Sequence, residues 1–346
     1  MKRIWKHLLI GVIAASVLCG ILWIAQCLLM PKYRGELAEG SLIEEYYRET
    51  LPHDVLFVGD CEVYCNVSPI TLYQEYGIVS FIRGTPQQLI WQSYYLLEDA
   101  LTREKPSVVV FNVLALKYGE PQSEAYNRMT IDGMRWSKSK IGAIQSSMTE
   151  GEDPISYVFP LLRFHDRWSD LGIEDFRCIF TKESISHAGY LMQTDVRPVT
   201  QTPSVSPLTD PHLPEASMQW LEKIYELCSR NGIALVLVKS PSIVPHWYEE
   251  WDADVSAFAN EHGLWYSNAI AENDFIGIDF QTDTYDMGKH LNVYGAEKYA
   301  HWLGMELKQR YDLPDRREDA AYASVWSEKT QRYQSEKAAS AAEEKK

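Results

Sequence analysis

The chain has 346 residues, enough for one large domain or two small ones. Hydrophobic residues make up 46% and aromatics 12%, so most of the length can bury a packed core. A net charge of −15, with no basic stripe carrying interleaved aromatics, argues against nucleic acid or any other polyanion as a partner.

Residues 8–30 carry no charge and have Gln26 as their one strongly polar side chain. At about 1.5 Å per residue this run covers roughly 30 Å, the thickness of a bilayer's hydrocarbon core. Lys2, Arg3 and Lys6 precede it. The positive-inside rule therefore predicts a cytoplasmic stub (1–7), a single transmembrane signal anchor (8–30) and an extracytoplasmic remainder. A cleaved signal peptide is the rival. The run is long for an h-region and lacks an A-x-A-like end, and Ser16-Val17-Leu18-Cys19 lacks the small residue that a lipobox places before its cysteine.

Residues 31–53 begin polar and read as a stalk or first helix. From Asp54 the pattern changes. Val55-Leu56-Phe57-Val58 is an all-apolar run of the parallel-sheet kind and leads into Gly59-Asp60-Cys61-Glu62. A helix is expected over 69–76, a strand over 79–82 ending at Arg83-Gly84, and an amphipathic helix from Pro86 to about Arg103. Ser107-Val108-Val109-Val110-Phe111 is a third strand, ending at Asn112. This alternation predicts a βαβ sheet with right-handed crossovers. The rhythm resumes with a helix over 216–231, Gly232 as its C-cap, and a strand over 233–238. A helix over 247–262, a strand from Gly263 and a last helix over 293–310 follow.

Between the halves, residues 117–214 break the rhythm and read as an insertion, either with its own small core or as a lid or substrate groove. Such insertions sit where open α/β sheets bind ligands. Residues 198–214, rich in Pro, Thr and Ser, read as a linker back to the sheet. After Pro314 the composition turns to Arg, Glu, Lys, Ala, Ser and Gln, so 316–346 is expected to be a solvated, disordered tail.

The chemistry concentrates at two places. Asp286 and His290 stand four residues apart just before the last helix, followed by Leu291-Asn292. Cys61 ends the first strand. A nucleophile, a base and an orienting acid need proximity in space, not in sequence. Gly59-Asp60-Cys61-Glu62, Gly84, Asn112 and Asp286…His290 fall in the order of the four blocks of the SGNH (GDSL) hydrolase superfamily, which this chain resembles over about residues 54–307 without the insertion.

That resemblance implies an α/β protein, a three-layer α/β/α sandwich with a central parallel sheet, preceded by one transmembrane helix. It implies Cys61 as nucleophile, His290 as base, Asp286 as its partner, and Gly84 N–H and the Asn112 amide as oxyanion donors. Asp60, Lys239 and Asn292 are candidate substrate contacts. The anchor and the His-Leu-Asn…Gly-Ala ending are similar to exported SGNH-like proteins of cell-surface polymer acylation. This implies acyl, in the first place acetyl, transfer or ester hydrolysis on cell-surface polysaccharide, beside a membrane-bound O-acyltransferase.

The chain departs from the family pattern in three ways. Cysteine replaces the usual serine, the Asp precedes the His by four residues instead of three, and the Gly-x-Asn-Asp block is reduced to Phe111-Asn112-Val113. Other readings stay open. A cysteine after an apolar strand also suits a packed small hydrophobe, and Lys239 also suits a solvated strand end. With the serine lost, a catalytically inactive scaffold that binds glycan or an acyltransferase is the alternative function. Cys65, Cys178 and Cys228 show no zinc spacing and no disulfide framework, and the spacing of Asp279, Asp283 and Asp286 is not that of a calcium loop. No metal or cofactor is expected.

Overall fold

The computed structural model describes residues 2–30, 41–181, 184–201 and 204–343. In chain order these form α1 (Lys2–Leu29), α2 (Leu42–Tyr46), β1 (Val55–Gly59), α3 (Cys61–Asn66), α4 (Pro69–Tyr76), β2 (Ser80–Gly84), α5 (Ile90–Ala100) and β3 (Val108–Asn112). Then come α6 (Glu124–Ile131), α7 (Lys138–Ser147), α8 (Ile155–Val158), α9 (Leu161–Phe164) and α10 (Ile173–Phe180). The chain closes with α11 (Glu215–Asn231), β4 (Ala234–Lys239), α12 (Glu249–His262), β5 (Trp265–Asn268), α13 (Asn273–Ile276), α14 (Val293–Arg310) and α15 (Ala320–Glu343).

Two compact units emerge. One comprises the N-terminal region through residue 38 with residues 150–184; the other comprises 39–149 and 185–346. In the first, α1 is long and apolar enough over Arg3–Leu29 to cross a membrane, with an 18-residue stretch of mean hydropathy 2.6, none of it buried.

The second unit is built on an all-parallel five-stranded sheet in the order β2-β1-β3-β4-β5. β1, β2 and β3 are buried along their whole length, as expected for strands covered on both faces. One set of helices packs α14 on α3 and α4, and another packs α5 on α7 and α11. The order reverses between β1 and β3, so connections leave their carboxyl ends in opposite directions. Such a switch point opens the crevice in which α/β sheets bind ligands. Gly59 lies at this edge. A Cβ there would come within 3.0 Å of the Asn112 Cβ, and its φ of +154° is one that side chains rarely adopt. Gly232 caps α11 in the left-handed region (φ 65°), as its position after an amphipathic run predicts.

Four expectations need correction. The helix expected from Pro86 starts at Ile90, because residues 85–89 form a turn: Gln88 N–H donates to the Thr85 carbonyl, and the Gln88 side chain reaches Arg83 O and Ser93 Oγ. Of the two readings of residues 31–53, the described part is a first helix, α2, and not a stalk. Leu42, Ile43 and Tyr46 are buried, and Tyr46 meets Phe81 edge-on at 5.4 Å, while residues 31–40 lie outside the described residues.

The tail 316–346 is likewise a packed element over 320–343. Tyr322, Trp326 and Tyr333 of α15 are buried, Trp326 lies 4.9 Å from the Tyr73 ring, and Arg316 pairs with Asp54 at 2.6 Å. The physical reason is an aromatic stripe on a strong helix former, which an average over polar composition hides. The insertion, finally, is not one body. Residues 150–184 belong to the first unit, whereas α6 and α7 pack with α5 and the return segment binds the α/β unit.

Candidate active site

The Asp286–His290 segment is a tight loop closed by a Thr284–Leu291 bridge, not a helical turn. Thr284 Oγ1 accepts from Gly288 N at 2.8 Å and donates to His290 O at 2.8 Å. Gly288 permits the turn, with φ 88° and no room for a Cβ beside Ile243. The return segment of the insertion braces this loop: Arg197 N donates to Thr284 O, Met287 N to Arg197 O and Val293 N to Gln193 O. The start of the stretch that reads as a linker joins in: Val199 N donates to Phe280 O, and Val199 O accepts from Gln281 Nε2.

Within the loop, Asp286 holds His290 twice. Oδ1 accepts the His290 backbone N–H at 2.7 Å and Oδ2 lies 2.6 Å from Nδ1. A carboxylate only accepts, so Nδ1 carries a proton and Nε2 is the ring nitrogen that Asp286 leaves unengaged. Nε2 has no hydrogen-bond partner among the described residues. Tyr285 stacks on the imidazole with an interplanar angle of 17°, and its hydroxyl lies 3.4 Å from both Nδ1 and the Cys65 Sγ. A carboxylate-held imidazole of this kind has the geometry that an oriented general base requires.

Cys61 is the first residue of α3 and a free thiol. It shares one cavity of about 260 Å³ with His290, at the carboxyl edge near the switch point. Asp60, Glu62, Lys117 and Lys289 also line it. No hydrogen bond joins Cys61 to His290 among the described residues. Cys61 is only partly exposed. Burial, and then the charges of Asp60, Cys65 and Glu62, push its thiol well above the ordinary value, so the resting sulfur is protonated.

Beneath Cys61 lies a closed polar network. Asp60 caps α3 by accepting from Glu62 N at 3.1 Å, and burial together with the neighbouring Glu62 raises its carboxyl to about 6. The Asn112 amide donates to Asp60 Oδ1 at 3.2 Å and to Glu62 Oε2 at 2.9 Å, while its Oδ1 accepts from Ser240 N. Lys239, fully buried, donates to Glu62 Oε1 at 2.8 Å and to the carbonyls of Ser240 and Ser242.

Several assigned roles therefore change. Asn112 has both amide protons committed to carboxylates, so it is not poised as an oxyanion donor. Lys239 uses its three donors internally and does not face a substrate. Gly84 lies under α3, where a Cβ would be 2.6 Å from Val63 Cγ2, and it is not among the residues lining the cavity; closeness explains the glycine. Asn292 is a buried cap of α14, accepting from Tyr294 N and Gly295 N and donating to the Asp195 and Thr282 carbonyls. Of the candidate substrate contacts, Asp60 alone lines the cavity.

The structure adds Glu62, Cys65, Tyr285, Lys117 and Lys289 to the site. Cys65 stands one helical turn after Cys61, and Tyr285 stands beside Asp286, so both were open to a reading by spacing. Glu62 was not, because its partner Lys239 is 177 residues away. No cluster of three His, Cys, Asp or Glu among the described residues is arranged to hold a metal ion. Comparison with known proteins adds no relative: no family model matches the chain, and no curated protein does.

Proposed function

We propose that this chain is an SGNH-type, three-layer α/β/α enzyme, tethered to the membrane by α1 with its α/β unit outside the cell. In this reading it transfers or hydrolyses an acyl group, in the first place acetyl, on a cell-surface polysaccharide, beside a membrane-bound O-acyltransferase. One observation carries the reading: an Asp-held imidazole with a free Nε2 and a cysteine line the same cavity at the sheet's carboxyl edge.

In this scheme the bound acyl ester draws Cys61 and His290 together, since apo geometry in such sites is often loose. Nε2 takes the thiol proton, the sulfur attacks the acyl carbon, and the leaving alkoxide receives the proton back from the imidazolium. A thioester remains. A sugar hydroxyl or water, deprotonated by the same Nε2, then attacks it, and the thiol is regenerated. The backbone N–H of Cys61, at the first position of α3, has no partner among the described residues and serves as the oxyanion donor. One such donor is worth roughly 3 kcal/mol of barrier.

A second reading has a specific observation behind it. The raised thiol and the committed Asn112 amide suit an inactive scaffold that binds glycan or an acyltransferase. Intact mass of the full-length protein after exposure to an activated acetyl ester separates the two. The enzyme reading expects one acetyl group on Cys61, lost in Cys61→Ala, formed much more slowly in His290→Ala and partly retained on the hydroxyl of Cys61→Ser. No adduct, together with intact surface acylation in Cys61→Ala cells, establishes the scaffold.

A further inference from the structure

Residues 150–181 share a unit with α1, and the way they pack on it is informative. α1 is exposed along nearly all of residues 3–24 and half-covered over 25–30. The cover comes from α9, the 3₁₀ turn His165–Asp170 and α10, each of which contacts α1. Arg167 Nη1 donates to the Leu29 carbonyl at 2.8 Å, satisfying one of the acceptors that a helix end leaves open. About 20 residues of helix span a hydrocarbon core, so a span entered at Leu8 leaves it near Cys27. The covered stretch therefore lies where hydrocarbon gives way to headgroups.

The covering elements are built inside out for a water-exposed protein. Ile173, Phe176 and Phe180 form one face of α10 at i, i+3 and i+7, and are 67%, 47% and 87% exposed, while Asp175 and Cys178 point inward and are buried. Beside that apolar face runs the ion pair Glu174–Arg177 at 2.6 Å, the polar border of an interfacial helix. Phe159, Leu162 and Trp168 are 56%, 55% and 73% exposed on the neighbouring turns. Exposed apolar side chains on this scale mark an interaction surface, and Trp is enriched at membrane interfaces.

We propose that residues 155–180 form a second membrane contact, with Phe159, Leu162, Trp168, Ile173, Phe176 and Phe180 seated in the lipid at the bilayer surface where α1 emerges. The occupant is lipid because the same elements clasp the part of α1 that lies at the bilayer boundary. The surface thus continues the lipid-facing surface of the helix. The inference rests on the reading that α1 spans the membrane, and its test separates the two.

The full-length protein is reconstituted in phospholipid vesicles containing a phospholipid with a diazirine in its acyl chain, irradiated, and mapped by peptide mass spectrometry. Adducts are expected on α1 and on residues 159–180. A Trp168→Gln, Phe176→Gln, Phe180→Gln variant keeps the adducts on α1 and loses those on 159–180. Adducts on α1 alone in the unsubstituted protein overturn the proposal while leaving the anchor intact. No adducts on α1 overturn the anchor, and the proposal with it. If 159–180 cross-links in native membranes to protein and not to lipid, the occupant is a protein and the proposal is overturned.

Discussion

The two halves of the cavity are prepared to different degrees. On the His290 side, one carboxylate fixes both the backbone and the ring of the histidine, a tyrosine stacks on the imidazole, and one ring nitrogen is left without a partner. On the Cys61 side, Asp60, Glu62, Asn112 and Lys239 satisfy one another, and the thiol above them is held protonated by burial and by negative neighbours. Among the described residues the first half leaves a ring nitrogen unused, whereas the second closes on itself. A buried ion pair with every donor used is costly to disturb, so in the proposed enzyme the activation of Cys61 has to come from the histidine or from the substrate and not from Asn112 or Lys239.

The most severe way to break this contrast is to disorient the base. Asp286→Asn keeps the shape but offers an amide where a carboxylate held the Nδ1 proton. In the acetyl-ester assay the rate of Cys61 acylation should fall on the order of 10³–10⁴-fold if the dyad works as a general base. A change below about tenfold would mean that Asp286 only shapes the loop.

The complementary experiment attacks the stable half. Glu62→Ala strands the Lys239 ammonium in a fully buried position, and Lys239→Met strands the Glu62 carboxylate. Each single change should cost about 3–5 kcal/mol in chemical denaturation, because an unpaired buried charge remains. A Glu62→Met, Lys239→Met pair, which removes both charges, should recover most of that loss. Single variants that cost under about 1 kcal/mol would show that water reaches the network and that the two halves differ less than the geometry states.

These same residues show which kinds of information a single sequence carries. The parallel strands were legible because burial on both faces forces unbroken apolar runs such as Val55-Leu56-Phe57-Val58, and Gly232 marked a helix end because few other residues take its conformation. The Asp286–His290 pair was legible because its partners are local. Asn112 and Lys239 were misassigned because residue type and strand-end position say where a side chain begins, whereas its partner is set by the fold: Glu62 lies 50 residues from Asn112 and 177 from Lys239. The aromatic spacing of Tyr322, Trp326 and Tyr333 was present in the sequence, but it was outweighed by the polar composition around it.

The finest test of the contrast uses pH. Asp60 is buried, and its carboxyl is raised from the ordinary 3.8 to about 6 by burial and by Glu62. A group whose pKa is higher in the folded state favours folding fully at pH values below its unfolded pKa, and that contribution is lost as pH rises through the folded value. The wild-type protein should therefore lose stability between about pH 4 and pH 7 through this group, by at most roughly 3 kcal/mol. Asp60→Asn has no proton to lose and still offers Oδ1 to the Glu62 N–H and the Asn112 amide. Its Tm relative to wild type should be higher at pH 8 than at pH 5. Because ionised Asp60 also helps to hold the Cys61 thiol up, the same variant should label faster with iodoacetamide at pH 8. A Tm difference constant from pH 5 to 8, with unchanged labelling, would place Asp60 in contact with water and remove the electrostatic reason for a resting thiol. Faster labelling in Asp60→Asn that disappears when His290→Ala is added would show the two halves acting on the same sulfur.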